Sequence, residues 1–382
     1  VVFGIRDLGA VEHVVMVLVV AKFGAQAFDF KKIGVHHGRT GDQGGSSQSV
    51  APMPRAPGDM AAPGRLGEGV EVGMKNARLI YNPQAGALRR QGPALLQRAL
   101  DELRGLGVHA ELAATTGPRT GGAIARELVE REGVDTILVA GGDGTINEVL
   151  NGVVHSNVSL GVLPAGTANV LANEMRIGTW KRALAALPEL RTVRVPVGKI
   201  ESDAAGERYF LMMAGAGFDA RMVQAVSPEL KRSLGKFAYW LTGFSQIGRN
   251  LEQLVATVNG QRYQASFCLA SRVRNYGGDL AIAPTIHITE NDLEVILFEG
   301  RFTTTYLIHL FSIVSGRMQM DSRIKVLRTQ QIDLAPAGSD PVHLQVDGEH
   351  VGVLPMRVSV VPGALNLLVP PEFLRGKREA AA

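Results

Sequence analysis

The residues best suited to chemistry form a glycine-rich segment that contains one carboxylate, Gly141-Gly142-Asp143-Gly144-Thr145. The segment follows the apolar run 136–140, and apolar residues at helical spacing come after it, which predicts a loop between a buried strand and a helix. Glycines let a backbone approach a phosphate closely, and the N–H groups in the first turn of a helix favour anions. The pattern predicts a phosphate-binding loop in which Gly141, Gly142 and Gly144 contact the phosphates.

Asp143 places a negative charge in the middle of this predicted anion site. Because a carboxylate repels phosphate, a cation is needed between the two, and Asp143 is the predicted ligand of a magnesium ion. The competing interpretation is a tight turn in which Asp143 caps the following helix. The strand–loop–helix context favours the phosphate interpretation.

A second strand-to-helix turn has similar chemistry. Residues 160–164 form a short apolar strand, and Ala165-Gly166-Thr167-Ala168-Asn169 follows it. The hydroxyl group of Thr167 and the amide of Asn169 are suited to phosphate or ribose contacts, although Thr167 alone also fits an ordinary helix N-cap. Two such loops in one chain favour nucleotide binding.

Two more carboxylates lie near the C-terminus in Asp347-Gly348-Glu349, between the apolar runs 342–346 and 351–354. One interpretation is a hairpin turn with solvated carboxylates. The other is a catalytic pair, because carboxylates can accept the proton of an attacking hydroxyl and hold a metal ion, and phosphoryl transfer requires little more than this and good positioning. Asp347 and Glu349 are therefore the candidate catalytic residues.

Strands and helices alternate over residues 74–195, which predicts an α/β domain with a doubly wound parallel sheet. Residues 196–375 contain closely spaced strands, including a hairpin at Asn259-Gly260, and predict an all-β sandwich or barrel-like domain. The C-terminal residues could complete the sheet of the first domain. The predicted strands of the second half are 254–258, 262–270, 293–298, 323–334, 342–346, 351–360 and 364–369, and its predicted helices are 229–248 and 302–317.

Composition limits the class of protein. The chain has 382 residues, a formal net charge of +4, a pI of about 9.2 and one cysteine, Cys268. A disulfide within the chain and a cysteine-based zinc site are excluded, and a cytoplasmic location is the natural expectation. The mild positive charge fits an anionic partner, but no Lys/Arg tract interleaved with aromatics predicts nucleic-acid binding.

The first 73 residues differ from the rest. Residues 36–73 are rich in Gly, Ser, Pro and Ala without a periodic pattern, and the apolar run 14–21 is too short to span a bilayer. The chain begins with Val1, and Met74 stands just before the first patterned strand. We interpret residues 1–73 as a disordered extension or an upstream reading of the gene.

Together these residues resemble the diacylglycerol kinase-like lipid kinases, the family that also contains sphingosine and ceramide kinases. The most specific part is residues 141–149 with the continuation Ile146-Asn147-Glu148-Val149, and residues 163–169 follow at the family's spacing. Segments 215–220 and 275–284 also look like family signatures. The resemblance covers about residues 76–370 and implies an ATP-binding α/β domain, a β-sandwich domain and an active cleft between them.

The resemblance implies further site residues. The first nucleotide loop would run from Asn82-Pro83 to Gly86, and Thr116 matches an adenosine-side threonine. The catalytic base would lie in Asp347 to Glu349, and the cofactors would be ATP and Mg²⁺. The nucleotide-binding residues so predicted are Asn82, Pro83, Gly86, Thr116, Gly141, Gly142, Asp143, Gly144, Thr145, Ile146, Asn147 and Thr167.

Three departures from the family pattern concern its metal sites. Val170 stands where the family commonly has Asp, and Pro196 precedes Val197 and Gly198-Lys199 where an acidic residue is frequent. Residues 290–292 occupy the region in which bacterial members often bind a structural metal. Glu174, one turn after Val170, is a candidate substitute for a missing carboxylate.

The leading hypothesis is an ATP-dependent lipid kinase that phosphorylates the hydroxyl of diacylglycerol or of a sphingoid or ceramide-like lipid, with a role in phospholipid biosynthesis. The alternatives are a soluble kinase for NAD or a sugar phosphate, and a nucleotide- or lipid-binding protein that has lost catalysis. The predicted location is the inner face of the membrane, where the basic and aromatic segment 230–240 would form either an interfacial helix or an ordinary one. The lipid and the oligomeric state, including a homodimer, stay open.

Overall fold

The computed structural model describes residues 70–71, 73–131, 133–217, 251–276, 280–301, 309 and 321–374. The predictions for most of the extension 1–73, for the segment 230–240 and for the helices 229–248 and 302–317 lie outside these residues. The helices are α1 (Gly86–Gly105), α2 (Gly121–Glu130), α3 (Asp143–Val153), α4 (Val170–Glu174) and α5 (Trp180–Ala186), and a 3₁₀ turn lies at Leu187–Glu189.

The strands run through both halves of the described chain. They are β1 (Val70–Glu71), β2 (Asn76–Tyr81), β3 (His109–Ala114), β4 (Thr136–Gly141), β5 (Ser159–Pro164), β6 (Arg191–Ser202), β7 (Gly206–Phe210), β8 (Met213–Gly217), β9 (Leu254–Val258), β10 (Gln261–Ala265), β11 (Phe267–Ser271), β12 (Asn275–Tyr276), β13 (Leu280–Ala281), β14 (Leu293–Phe298), β15 (Ile324–Thr329), β16 (Gln331–Pro336), β17 (His343–Val346), β18 (Glu349–Val353) and β19 (Met356–Val369).

The first half is built on parallel strands in the order β3-β2-β4-β5. Every residue of β4 and β5 is buried, as expected for central parallel strands covered by helices. The chain adds β3 on one side of β2 and then β4 on the other, so the direction of winding reverses between β2 and β4. Ligands of such sheets bind beyond the carboxyl ends of the strands at this reversal point.

The C-terminal strand β19 connects the two halves of the molecule. It pairs in parallel with β5, with Leu367 opposite Leu160, and antiparallel with β6 and β16. The first sheet therefore continues from the parallel strands into one layer of a sandwich, through β16, β9 and β10. The second layer has the order β15-β14-β11-β8-β17-β18, and apolar side chains of both layers form a common core. The predicted fold class, α/β followed by a β-sandwich, is confirmed.

Two predicted strands are wrong because each is divided between the two layers. The run 262–270 breaks at Ser266, so that β10 belongs to the first layer and β11 to the second. The run 323–334 breaks in the same way between β15 and β16. Both parts of each run place residues in or against the common core, Ala265 and Cys268 in the first run and Leu327 and Ile332 in the second. The sequence pattern therefore does not record the break. Conversely, 364–369 and the second half of 351–360 belong to one long strand, β19, with an irregularity between Val361 and Leu365.

Candidate active site

Three loops meet at the carboxyl edge of the parallel strands. Asn82, after β2, donates its N–H to the carbonyl of Ala140 at 3.0 Å and its side-chain amide to the Thr145 hydroxyl at 3.3 Å. Ala165, after β5, donates its N–H to the carbonyl of Gly141 and accepts from the N–H of Ala87, both at 2.9 Å. The loops predicted from Asn82-Pro83 to Gly86, from Gly141 to Thr145 and around Thr167 are thus neighbours in space.

Close backbone contact explains the glycines in these loops. A Cβ on Gly166 would lie 2.5 Å from the Cα of Gly142, and one on Gly141 would lie 2.7 Å from the Cβ of Thr145. Helix α3 begins after Gly142, and this N-cap residue, a glycine, makes no side-chain hydrogen bond to the helix. A helix N-terminus without a side-chain cap, beside two loops that approach closely, fits the phosphates of a nucleotide.

Asp143 caps a helix, although not the one that it begins. Its carboxylate accepts the N–H of Val170 at 3.1 Å and that of Leu171 at 3.4 Å, at the start of α4. The N-cap interpretation of Thr167 is wrong, because Thr167 is exposed and the residue before α4 is Asn169, which has a positive φ of 48°. The Asn169 side chain instead accepts the N–H of Gly166 at 2.9 Å. Asp143 therefore joins the first glycine loop to the helix that follows the second.

The donor groups near Asp143 determine whether this loop can hold a magnesium ion. Within the described ranges, no three or more His, Cys, Asp or Glu side chains form a metal-binding group. Magnesium bound with a nucleotide commonly takes only one or two carboxylates, and phosphates and waters complete its shell. Asp143 fits as such a single carboxylate in the glycine loop, and its role as a metal ligand stays a prediction.

Glu174 lies at the other end of α4 from the residues that contact Asp143. Its carboxylate is 9% exposed and accepts the backbone N–H groups of Arg274 and Asn275. Burial raises its pKa, and the hydrogen bonds and the positive charge of Arg274 partly oppose that shift. Glu174 thus connects α4 to the sandwich segment at β12, and its role as a substitute metal ligand stays a prediction.

Glu148, on α3, contacts the end of the loop after β3, which also contains Thr116. The Glu148 carboxylate accepts the N–H of Arg119 at 2.8 Å and that of Gly121 at 2.9 Å, and so stabilises the start of α2. Thr116 is exposed and donates its N–H to the Thr120 hydroxyl at 3.2 Å. Its position at the same edge of the sheet as the glycine loop is compatible with the predicted adenosine contact.

Asn147 and Ile146 were both predicted to bind nucleotide, yet their side chains are 1% and 2% exposed. Ile146 packs in the core. The amide nitrogen of Asn147 donates to the carboxylate of Asp347 at 2.8 Å and to the carbonyl of Tyr209 at 3.0 Å. Its amide oxygen accepts from Arg208 at 3.0 Å. Asn147 therefore ties the helix of the glycine loop to β7 and to the Asp347 turn.

Asp347 and Gly348 form the two-residue turn between β17 and β18. Their φ values of 47° and 83° are those of the tight hairpin turns that favour Asp-Gly. The hairpin interpretation is thus correct, but the Asp347 carboxylate is not solvated. It is 7% exposed and accepts from Asn147 and from the N–H groups of Leu211, Met212 and Met213. Burial raises the pKa of Asp347 to about 6, and these hydrogen bonds partly oppose the shift.

Glu349 has a different environment. Its side chain is 36% exposed, and one carboxylate oxygen lies 3.4 Å from the Arg208 guanidinium. The other oxygen lies 2.7 Å from the position that a Cβ would take on Gly144, in the first turn of α3. Of the two candidate catalytic carboxylates, Asp347 is held by four donors and Glu349 contacts the glycine loop. Sequence reasoning missed Arg208, because nothing in the pattern of β7 distinguishes it from a surface arginine.

A buried guanidinium occupies the region of residues 290–292. Arg272 is fully buried and donates to the carbonyls of Pro196, Ile288, Glu290 and Asp292 at 2.6–3.1 Å. Burial lowers its pKa to about 9, and the carboxylates of Glu290 and Asp292 partly oppose the shift. This cation connects strand β6 with the segment before β14.

Comparison with known proteins gives the class. The family described as "Diacylglycerol kinase catalytic domain" matches residues 76–200, and "YegS C-terminal NAD kinase beta sandwich-like domain" matches residues 212–369. A diacylglycerol kinase of Bacillus subtilis is 27% identical over 304 residues, 78% of this chain and 98% of its own. A protein of Xanthomonas oryzae named "Probable lipid kinase YegS-like" is 29% identical over 290 residues, 72% of this chain and 91% of its own.

The solved structures agree on the fold. A diacylglycerol kinase from Bacillus anthracis superimposes with a TM-score of 0.63 at 20% sequence identity, over 79% of this chain and 99% of its own. The two family matches follow one another along most of the described chain. The chain belongs to the diacylglycerol kinase-like family of lipid kinases. In the part of the chain that the structure describes, no helix combines the length and apolar character needed to cross a bilayer.

Proposed function

We propose that this enzyme transfers the γ-phosphoryl group of ATP to the hydroxyl group of a lipid, and that diacylglycerol is its acceptor. The observation that carries the proposal is the contact between the Glu349 carboxylate and Gly144. This contact brings a proton acceptor to the first turn of α3, the helix that begins in the glycine loop. The names of the relatives, which are diacylglycerol kinase and YegS-like lipid kinase, support a lipid acceptor.

The glycine loop would hold the phosphates of ATP. Gly141, Gly142 and Gly144 allow close backbone approach, and the α3 N-terminus favours the negative charge. Magnesium, bound beside Asp143, would supply neutralisation of the charge on the phosphates. Asp143 would also keep the two glycine loops in register through its hydrogen bonds to α4.

The two carboxylates of the hairpin turn would have separate roles. Glu349 is exposed enough to reach an acceptor hydroxyl and would take its proton. Asp347 is buried and already accepts four hydrogen bonds, so it would position the turn and Asn147 without contacting the acceptor. The lipid hydroxyl would be presented at the cytoplasmic surface of the membrane, with the enzyme associated peripherally.

The test is a transfer assay with γ-labelled ATP, magnesium and a panel of lipids in vesicles. The panel contains diacylglycerol, ceramide and a sphingoid base, and NAD is added in a separate reaction. Label in organic-phase phosphatidate supports the proposal, and label in another lipid corrects the acceptor. Label only in NADP contradicts a lipid acceptor. ATP binding without any transfer contradicts catalysis.

A further inference from the structure

Arg208 connects helix α3 with the turn between β17 and β18. It lies on β7, and its side chain is 21% exposed. Its guanidinium donates to the amide oxygen of Asn147 at 3.0 Å and lies 3.4 Å from a carboxylate oxygen of Glu349. Asn147 accepts this bond while it donates to Asp347 at 2.8 Å. The guanidinium thus contacts a buried amide on one side and the half-buried carboxylate of Glu349 on the other.

The carboxylate of Glu349 occupies a position that suits a phosphoryl group. One of its oxygens lies beside Gly144 in the first turn of α3, and the other faces Arg208. A single carboxylate therefore spans the gap between the helix N-terminus and the guanidinium. Both neighbours favour an anion: the helix through its dipole, and the guanidinium through charge-assisted hydrogen bonds. A phosphate bound on the glycine loop would compete with Glu349 for the same cation.

We propose that Arg208 is a catalytic residue that exchanges Glu349 for the transferred phosphoryl group. The inference rests on the proposed phosphoryl transfer. When ATP binds, its terminal phosphoryl group takes the place of the carboxylate at Arg208, and Glu349 is released to accept a proton. The bond from the γ-phosphorus to the bridging oxygen breaks and its electron pair leaves with ADP, while the acceptor oxygen bonds to phosphorus and its proton passes to Glu349. Arg208 stays protonated and neutralises charge on the group in transit.

The exchange predicts opposite effects of two substitutions on nucleotide binding. Arg208→Gln removes the cation, so ATP binds about tenfold more weakly, the usual effect of losing a hydrogen bond to a charged group. Glu349→Gln removes the competing anion, so ATP binds about threefold or more tightly. The same Glu349→Gln enzyme loses turnover, because the proton acceptor is gone. If Arg208 only stabilised the fold, ATP would not be expected to bind more tightly to the Glu349→Gln enzyme.

The experiment measures the Kd of Mg·ATP and of inorganic tripolyphosphate by calorimetry on the full chain without lipid. The variants are Arg208→Gln, Arg208→Lys and Glu349→Gln. The matched control is Arg357→Gln, because Arg357 forms a surface pair with Asp333 at 2.6 Å. We expect Arg208→Lys to bind between wild type and Arg208→Gln, and the control to bind like wild type. A wild-type Kd in Arg208→Gln, or weaker binding in Glu349→Gln, overturns the inference.

The binding comparison can be interpreted independently of whether each variant folds and of which lipid is the acceptor. The melting temperature of each variant is recorded, and if Arg208→Gln fails to fold, the direction of the Glu349→Gln change still decides. In turnover, Arg208→Gln should lower kcat roughly a hundredfold. Because binding is measured without lipid, a failure of the proposed lipid acceptor leaves the binding comparison readable. If the enzyme labels a lipid but both Arg208→Gln and Glu349→Gln bind Mg·ATP with the wild-type Kd, only the role of Arg208 is contradicted.

Discussion

The side-chain amide of Asn147 donates a hydrogen bond to the carboxylate of Asp347 at 2.8 Å, although 200 positions separate the two residues. Asn147 belongs to the helix that begins in the glycine loop, and Asp347 begins the turn that carries Glu349. The bond is buried, and it directly connects the proposed phosphate-binding and proton-accepting parts of the site.

Removing this bond should destabilise the protein. Asn147→Leu leaves a buried carboxylate without one of its donors, and the free energy of unfolding should fall by about 2 kcal/mol, within the usual range of about 1–3 kcal/mol. Urea denaturation measures the change. The control is Asn366→Leu, because Asn366 makes an exposed amide contact with the carbonyl of Asn157. Equal losses in the two variants would contradict a special role of the buried bond.

Asp347 should make stability depend on pH between about 4 and 6. Its pKa in the folded protein is about 6, above the ordinary value of 3.8, so the folded state binds the proton more tightly than the unfolded state. The contribution of this group to stability is therefore present below pH 4 and lost as the pH rises through 6, by up to about 3 kcal/mol. Denaturation of wild type and Asp347→Asn across this range measures it. Parallel pH profiles for the two proteins would contradict the shift.

Gly166 should be intolerant of a side chain. In Gly166→Ala the new Cβ would lie 2.5 Å from the Cα of Gly142, so the two loops must separate. We expect ATP to bind at least about tenfold more weakly, with a loss of about 1–3 kcal/mol of stability. Gly338→Ala is the control, because nothing lies within 4 Å of a Cβ at that position. Calorimetry with ATP and thermal melting compare the two variants, and unchanged ATP affinity in Gly166→Ala would exclude this role of the glycine.

Asp143 caps α4, and two substitutions distinguish this role from the proposed binding of magnesium. Asp143→Ala loses the cap on α4, which should cost about 1 kcal/mol, and turnover should fall more than about tenfold. Asp143→Asn keeps an oxygen that can accept the N–H of Val170 but loses the charge. If Asp143 binds magnesium, the Asn variant keeps near wild-type stability and requires more magnesium for half-maximal turnover. An unchanged magnesium dependence in Asp143→Asn would exclude the metal role.

The buried guanidinium of Arg272 should be essential to the sandwich. Arg272→Met fills similar space but leaves four carbonyls without their donor, so we expect a loss of about 3–5 kcal/mol. Arg262→Met is the control, because Arg262 is exposed. Urea denaturation gives both values. A loss below about 1 kcal/mol in Arg272→Met would mean that water replaces the guanidinium without cost.

The geometry of the proposed phosphate site was largely predictable from the sequence, because its parts are local. The Gly141–Thr145 loop, the strand before it and the helix after it are continuous in the chain, and their periodicity and glycine content record the geometry directly. The hairpin at Asp347-Gly348 was predictable for the same reason, since both residues adopt the positive φ that its turn requires.

Long-range partners were not predictable, because a one-dimensional pattern records which face a residue occupies but not which residue it meets. The sequence alone determined the α/β and sandwich halves, the glycine loops and the pair of carboxylates. Only the tertiary structure decided that Asp347 is buried beside Asn147 and that Glu349 contacts Gly144. It also decided that Arg208 lies between Asn147 and Glu349. These contacts depend on β19 and β7, because the two strands bring the end of the chain and the sandwich close to α3.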